Sequence, residues 1–392
     1  MAASQAEINK LTRQKPDIRA ITRLVPASGN LVQGQSELPI DPRLAAEAAR
    51  VIAASQNHYS AAEGVPELRG AIARKIRAYN NIEVDAEAKA LELLVTPGGT
   101  GALVAIAETY LKNHSALVFE PYYPYHRRII EECGGKTETF TLGGDELQLD
   151  EKGLRERCRE LKNRAEFPLR AIIVCSPANP TGKVMNREEL HAIAAVCQEF
   201  DLMCVADEVY EHYVADKDAH VSIAALPGMH ERTVTVNSFS KSWNISGWRL
   251  GYVYGDGKLV APLNNANNVF YVCSATPLQY ALASVLMADA DYYERLRRIF
   301  DEKRRFVTGE LQNLGFRIYD SGSAFYVWAR IPIEYNNAVP FNEMLMKSAG
   351  VAGVPGSAFT DSTGWDDWMR FCIAREDDVL HGALDKMSAA LS

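Results

Sequence analysis

Apolar and polar positions follow two periods along this chain, and the switches between them mark out its elements. Short apolar runs recur at Leu91–Val95, Ala116–Phe119, Ala171–Cys175, Leu202–Ala206, Thr233–Val236 and Leu250–Val253. Bounded by Gly, Pro, Asn or Asp, such runs read as strands. Helical periodicity fills the gaps between them. Alternation of this kind predicts a mostly parallel sheet with helices on both faces. Pro66 suits the first turn of a helix whose Leu68, Ile72, Ile76 and Tyr79 share one face. Residues 1 to about 47 read as polar and irregular, broken by Pro26, Gly29, Gly34 and Pro39.

After residue 286 the pattern changes. Asp289–Leu314 predicts one long charged helix with Leu296, Phe300 and Leu311 inward and Gly315 as its stop. Phe316–Tyr319, Ala324–Ile331 and Trp368–Ala374 read as strands, and residues 376–391 as a closing amphipathic helix. The expected division is a large α/β domain over 48–285. A smaller α+β domain is built from 1–47 and 286–392. A length of 392 residues agrees, since a single core seldom grows that far.

Composition narrows the function. The net charge is −8 and no basic block stands out, so nucleic acid and anionic membrane are poor partners. Seven cysteines are scattered without a Cys-x-x-Cys pair, which argues against a zinc site or a disulfide framework and fits a reducing cytosol. The first thirty residues lack an apolar signal-peptide core, and no apolar run reaches membrane-spanning length. The expectation is a soluble, cytoplasmic enzyme.

Chemistry concentrates where strands end. In Ser238-Phe239-Ser240-Lys241-Ser242, with Arg249 eight positions on, one lysine sits among hydroxyl groups on a loop between strands. A partly desolvated lysine attacks carbonyls, and Ser238, Ser240 and Arg249 match the donor needs of a phosphate. A Schiff-base lysine beside a phosphate anchor suggests pyridoxal phosphate. Gly98, Gly99 and Thr100 form a glycine turn at a helix start, where backbone approaches anions closely. Asp207 closes an apolar strand and needs a partner; a carboxylate there keeps a pyridine nitrogen protonated. Tyr210 can donate to a ring oxygen, Asn179 can hold one, and Tyr123 can stack on a ring face. Arg370, on a strand, can clamp a carboxylate with two prongs. Taken singly, each has a plainer role: solvated lysine, helix cap, Asn-Pro turn, packing aromatic, structural ion pair.

In order along the chain, Asn57–Gly64, Thr96-Pro97-Gly98-Gly99-Thr100-Gly101, Asn179-Pro180-Thr181-Gly182, Asp207-Glu208-Val209-Tyr210, Ser238–Lys241 with Arg249, and Arg370 resemble a class I/II aminotransferase. That family belongs to the fold type I pyridoxal-phosphate enzymes. The resemblance covers nearly the whole chain. It implies a seven-stranded sheet, pyridoxal 5′-phosphate as cofactor, and transfer of an amino group from an L-α-amino acid to a 2-oxo acid. It implies that Lys241 forms the internal aldimine and shuttles a proton. Gly98, Gly99, Thr100, Ser238, Ser240 and Arg249 then hold the phosphate, and Arg370 takes the substrate α-carboxylate. Gly34 matches the segment that closes over substrate. Tyr59 matches a tyrosine reaching the neighbouring subunit's phosphate, which implies a homodimer with shared sites.

One departure concerns specificity. Residues 264–279 hold Asn264, Asn265, Asn267, Asn268, Phe270 and Tyr271 but no arginine, where some aspartate-specific relatives present one. Two alternatives remain at this point: a lyase or synthase on the same scaffold, and a ligand-sensing regulator that borrowed the fold.

Overall fold

Strict alternation of side chains builds the main sheet. The computed structural model describes residues 16–54, 56–216 and 218–392. Seven strands, β1 Leu93–Thr96, β2 Ser115–Glu120, β3 Lys136–Thr141, β4 Leu169–Cys175, β5 Met203–Asp207, β6 Thr233–Ser238 and β7 Gly251–Gly255, lie in the order β1-β7-β6-β5-β4-β2-β3. β7 runs antiparallel to both its neighbours, and every other pairing is parallel. Leu94, Val118, Ile173, Val205 and Val253 bury into one helical layer. Their neighbours Leu93, Leu117, Ile172, Cys204 and Tyr252 bury into the layers on the opposite face. Both faces are dry, as a parallel sheet requires.

Strand β3 was not foreseen. It is an edge strand in which only Glu138 is buried, so it carries no apolar run to read.

The irregular start needs correction. Residues 1–15 lie outside the described residues, but helices form at Ile18–Leu24 and Pro42–Ala53. Asp17 and Asp41 cap them by accepting backbone N–H groups, and Pro42 opens the second. Both fit between the prolines and glycines that interrupt any longer element. The helix Pro66–Asn80 follows as expected and ends with Asn81 in the left-handed region, φ 53°.

A second, wholly antiparallel sheet contains β8 Arg317–Tyr319, β9 Tyr326–Arg330, β10 Val354–Pro355 and β11 Trp368–Cys372, in the order β10-β11-β9-β8. The helices Tyr292–Asn313 and Asp377–Leu391 pack beside it, sharing a core with Phe300, Phe325 and Phe371. The N-terminal segment is stitched to this sheet: Leu31 N donates to Ala352 O at 3.1 Å and Cys372 N to Leu31 O at 2.8 Å. That stitching lays residues 32–35 between the two sheets, over the carboxyl ends of the main one.

Candidate active site

The loops that leave β1, β2, β4, β5 and β6 meet at one edge of the main sheet. Together with Gly34, Tyr326 and Arg370 they enclose a cavity of about 1230 Å³. Gly99, Thr100, Tyr123, Asn179, Asp207, Tyr210, Ser238, Ser240, Lys241 and Arg249 all line it. The sequence-nominated groups are therefore together, with two exceptions. Gly98 supports the wall from behind, and Tyr59 is 84% exposed, away from this cavity.

Lys241 sits one turn past the end of β6, in the short helix Phe239–Ser242 that Ser238 caps. Its Nζ donates to Gly34 O at 2.7 Å. Burial, aided by the charges of Arg370 and Arg249 and opposed by Asp207, lowers the ammonium to about 8. The amine is thus partly neutral near physiological pH, as a nucleophile or proton carrier needs to be.

At the end of β5, Asp207 Oδ2 lies 2.7 Å from His126 Nε2, and both side chains are buried. A carboxylate only accepts, so that ring nitrogen carries the hydrogen. The sequence pattern assigns His126 no role. The signal that points to it was the partner a buried Asp207 demanded.

A second chain of contacts runs to the smaller sheet. Tyr210 and Tyr326 share a hydroxyl–hydroxyl hydrogen bond of 2.9 Å. Asn179 Nδ2 donates to Tyr326 Oη at 3.4 Å, and its Oδ1 accepts from Arg370 Nη1 at 2.8 Å. Burial pushes the Tyr326 phenol up to about 12 and Tyr210 well above its usual value, so both remain protonated donors. Arg370 also donates through Nη2 to Val32 O and lies over the Tyr326 ring, 4.4 Å from its centroid. Its buried Nε has no hydrogen-bond partner among the described residues. Tyr326 was missed from sequence because it reads as an ordinary strand aromatic.

The far wall is a basic and hydroxyl-rich cradle. Ser238 Oγ donates to Ser240 Oγ at 2.9 Å, and Arg249 reaches across to Pro97 O at 3.3 Å. Arg249 itself sits in the left-handed region, φ 54°, a strain of roughly 1–3 kcal/mol that surrounding contacts must sustain. Gly98, φ 71°, faces it so closely that a Cβ would stand 2.7 Å from the guanidinium. A larger residue would have to displace the guanidinium and would strain the backbone at this positive φ. Gly34 is equally constrained, since a Cβ there would lie 2.0 Å from the Tyr326 hydroxyl.

Set beside known proteins, residues 27–387 match the model of the class I and II aminotransferases. The chain belongs to that family. The aspartate aminotransferase of Pyrococcus abyssi is 34% identical over 338 residues, 85% of this chain and 84% of that one. Aromatic-amino-acid aminotransferase 2 of Thermococcus litoralis is 32% identical, with the same shares covered. The solved structure of N-succinyldiaminopimelate aminotransferase from Mycobacterium tuberculosis matches with a TM-score of 0.88 at 30% identity, covering 99% of this chain and 100% of that one. The protein is a transaminase with the aminotransferase α/β fold. These relatives favour amino-group transfer over the lyase or synthase alternative.

Proposed function

We propose that this aminotransferase works with pyridoxal 5′-phosphate held in the cavity and moves an amino group from an L-α-amino acid to a 2-oxo acid. The observation that carries the reading is Lys241: a buried amine lowered to about 8, with a guanidinium and two serine hydroxyls beside it. The cavity fits the group. Gly98 leaves room where a Cβ would collide with Arg249, and Ser238, Ser240 and the Gly99–Thr100 helix start offer donors suited to a phosphate. Asp207 gives a carboxylate for a ring nitrogen, Tyr210 and Asn179 give donors for a ring oxygen, and Tyr123 gives an aromatic face.

When bound, the cofactor supplies an aldehyde that captures the substrate amine and a ring that draws electrons from the substrate Cα. The chain's own residues do the rest. His126 holds Asp207 through Nε2, fixing the carboxylate's direction. Lys241 Nζ, partly neutral, takes the proton from the substrate Cα and returns it. Arg370, poised by Asn179 and Tyr326, orients the substrate α-carboxylate. Residues 32–35 cover the lysine and exclude water.

A homodimer belongs to the same reading. Tyr59, Val269, Phe270 and Val272 are exposed by 84%, 70%, 51% and 46%. Asn267 Nδ2 donates to Ala62 O, and Ser60 N to Thr276 Oγ1, tying these segments into one apolar face. A second copy seated there brings Tyr59 to its partner's phosphate cradle. The reading keeps 48–285 as the large domain and 1–47 with 286–392 as the small one, with the helix Pro42–Ala53 crossing the junction. A cytoplasmic home fits seven free thiols. Among the described residues, no helix is long and apolar enough to cross a membrane.

Borohydride reduction of the holoenzyme followed by peptide mass spectrometry tests the lysine. A pyridoxyl group on Lys241 supports the reading, and one on another lysine refutes it.

A further inference from the structure

Arg370 is buried and Lys241 half-buried, whereas Arg19 and Arg23 on the same cavity are exposed, so a substrate held by the first pair extends its side chain toward the second. The helix Ile18–Leu24 stands there. It is fixed from behind by Ile21, buried in the core with Val25 and Val32. Ile18, Arg19, Thr22 and Arg23 line the cavity, a spacing that sets them on one face of the helix. Two arginines one turn apart thus stand at the mouth.

Their surroundings leave them available. The mouth also carries Asp17, Arg127, Arg128, Glu131, Glu132 and Asp361. Asp17 accepts from Arg19 N at 2.8 Å as the helix cap. Glu131 and Asp361 both meet Arg127. Arg128 and Glu132 lie one turn apart on the helix Pro124–Glu132, where their charges offset each other. Arg19 and Arg23 form no ion pair among the described residues, and Arg19 rests over the Tyr125 ring, 5.5 Å from its centroid. An arginine stacked on an aromatic keeps its donor edge free for a planar anion. Meanwhile the segment 264–279 offers no arginine for that task.

We infer that the cavity reads an anionic far end of its substrate through Arg19 and Arg23 of the chain's own N-terminal helix. The favoured substrates are then amino acids and 2-oxo acids bearing a second carboxylate. The inference rests on the transaminase reading of the same site, and it assigns side-chain selection to residues of one subunit rather than to its neighbour.

Glutamate and glutamine test it, being nearly the same shape and different in charge. The holoenzyme and the double variant Arg19→Gln/Arg23→Gln are assayed for transamination of each, with pyruvate as acceptor. In the reverse direction, 2-oxoglutarate is compared with pyruvate. The expected result is a fall of about 10- to 100-fold in the glutamate/glutamine ratio of kcat/KM, matching one or two charge-assisted contacts. Arg19→Lys/Arg23→Lys should recover part of that ratio. A ratio that stays within about twofold overturns the inference, whether both rates fall or neither does. A wild-type enzyme that transaminates neutral amino acids but not glutamate also overturns it, and leaves the transaminase reading intact. Failure to transfer an amino group from any amino acid tested counts against both.

Discussion

His126 Nε2 approaches Asp207 Oδ2 to 2.7 Å, a buried pair in which Asp207 lines the cavity and His126 supports it from behind. The imidazole supplies a hydrogen bond to a charged acceptor, and the other carboxylate oxygen takes a weaker one from Val209 N at 3.4 Å. Removing the imidazole leaves the carboxylate free to turn. His126→Phe should therefore lower kcat/KM by about 10- to 100-fold, while Asp207→Asn should lower it further. Steady-state rates with one amino donor check both. Near-wild-type rates in Asp207→Asn would reduce that residue to a cap for the turn that follows.

Arg370 should matter for every substrate alike. Its guanidinium is positioned by Asn179 Oδ1 and the Tyr326 ring, and a lysine reproduces neither the fork nor the stacking. Arg370→Lys is expected to raise KM by about tenfold or more for neutral and acidic amino acids together. A rise limited to dicarboxylic substrates would move the α-carboxylate clamp elsewhere.

Tyr59 tests the shared site. A Tyr59→Phe subunit and a Lys241→Ala subunit each lack one part, yet a hybrid dimer contains one complete site. Co-refolded mixtures should show activity above the mean of the two parents. A monomer in sedimentation at micromolar concentration, with full activity, would contradict it.

Acid should loosen the fold through a buried network behind Lys241. Glu211 accepts from Lys75, Asn80 and Asn237, and His212 stacks on Tyr293 at 3.7 Å between centroids. Burial drives His212 down to about 3. Burial works to raise Glu211, but Lys75 and His212 outweigh it and hold the carboxyl at about 2. Between roughly pH 6.5 and 3 the unfolded chain binds a proton at His212 that the folded chain refuses, so stability falls as pH falls. Below about 4.5 Glu211 adds to the loss in the same direction. Denaturant melts at stepped pH should show this slope, and His212→Phe should reduce it by about one proton between pH 6 and 5. An unchanged slope would exclude His212 as its source.

The sequence made the main sheet legible because parallel strands are buried on both faces and so appear as unbroken apolar runs. Six of its seven strands were readable, Thr233–Val236 by alternation and the others as apolar runs; Lys136–Thr141, half-exposed at the edge, was not. The site was legible where backbone chemistry is restrictive, at Gly98 and at the strand-end Asp207. It was not legible at His126 or Tyr326. Tertiary contact alone brings them in: His126 reaches Asp207 from a helix face, and Tyr326 reaches the cavity from the second sheet. Of the two N-terminal helices, Ile18–Leu24 was hidden by its shortness and Pro42–Ala53 by the prolines and glycines just before it. Arg19 and Arg23 lie in that same stretch, so their place beside the cavity too emerged only with the fold.

Central to this account is transfer of the amino group in two separated halves. The holoenzyme is mixed with a preferred amino acid alone, and the oxo acid released is counted against active sites. The account predicts one oxo acid per site, then a halt, with turnover resuming when 2-oxoglutarate or pyruvate is added. Continuous release of ammonia or a thiol without any acceptor would contradict it.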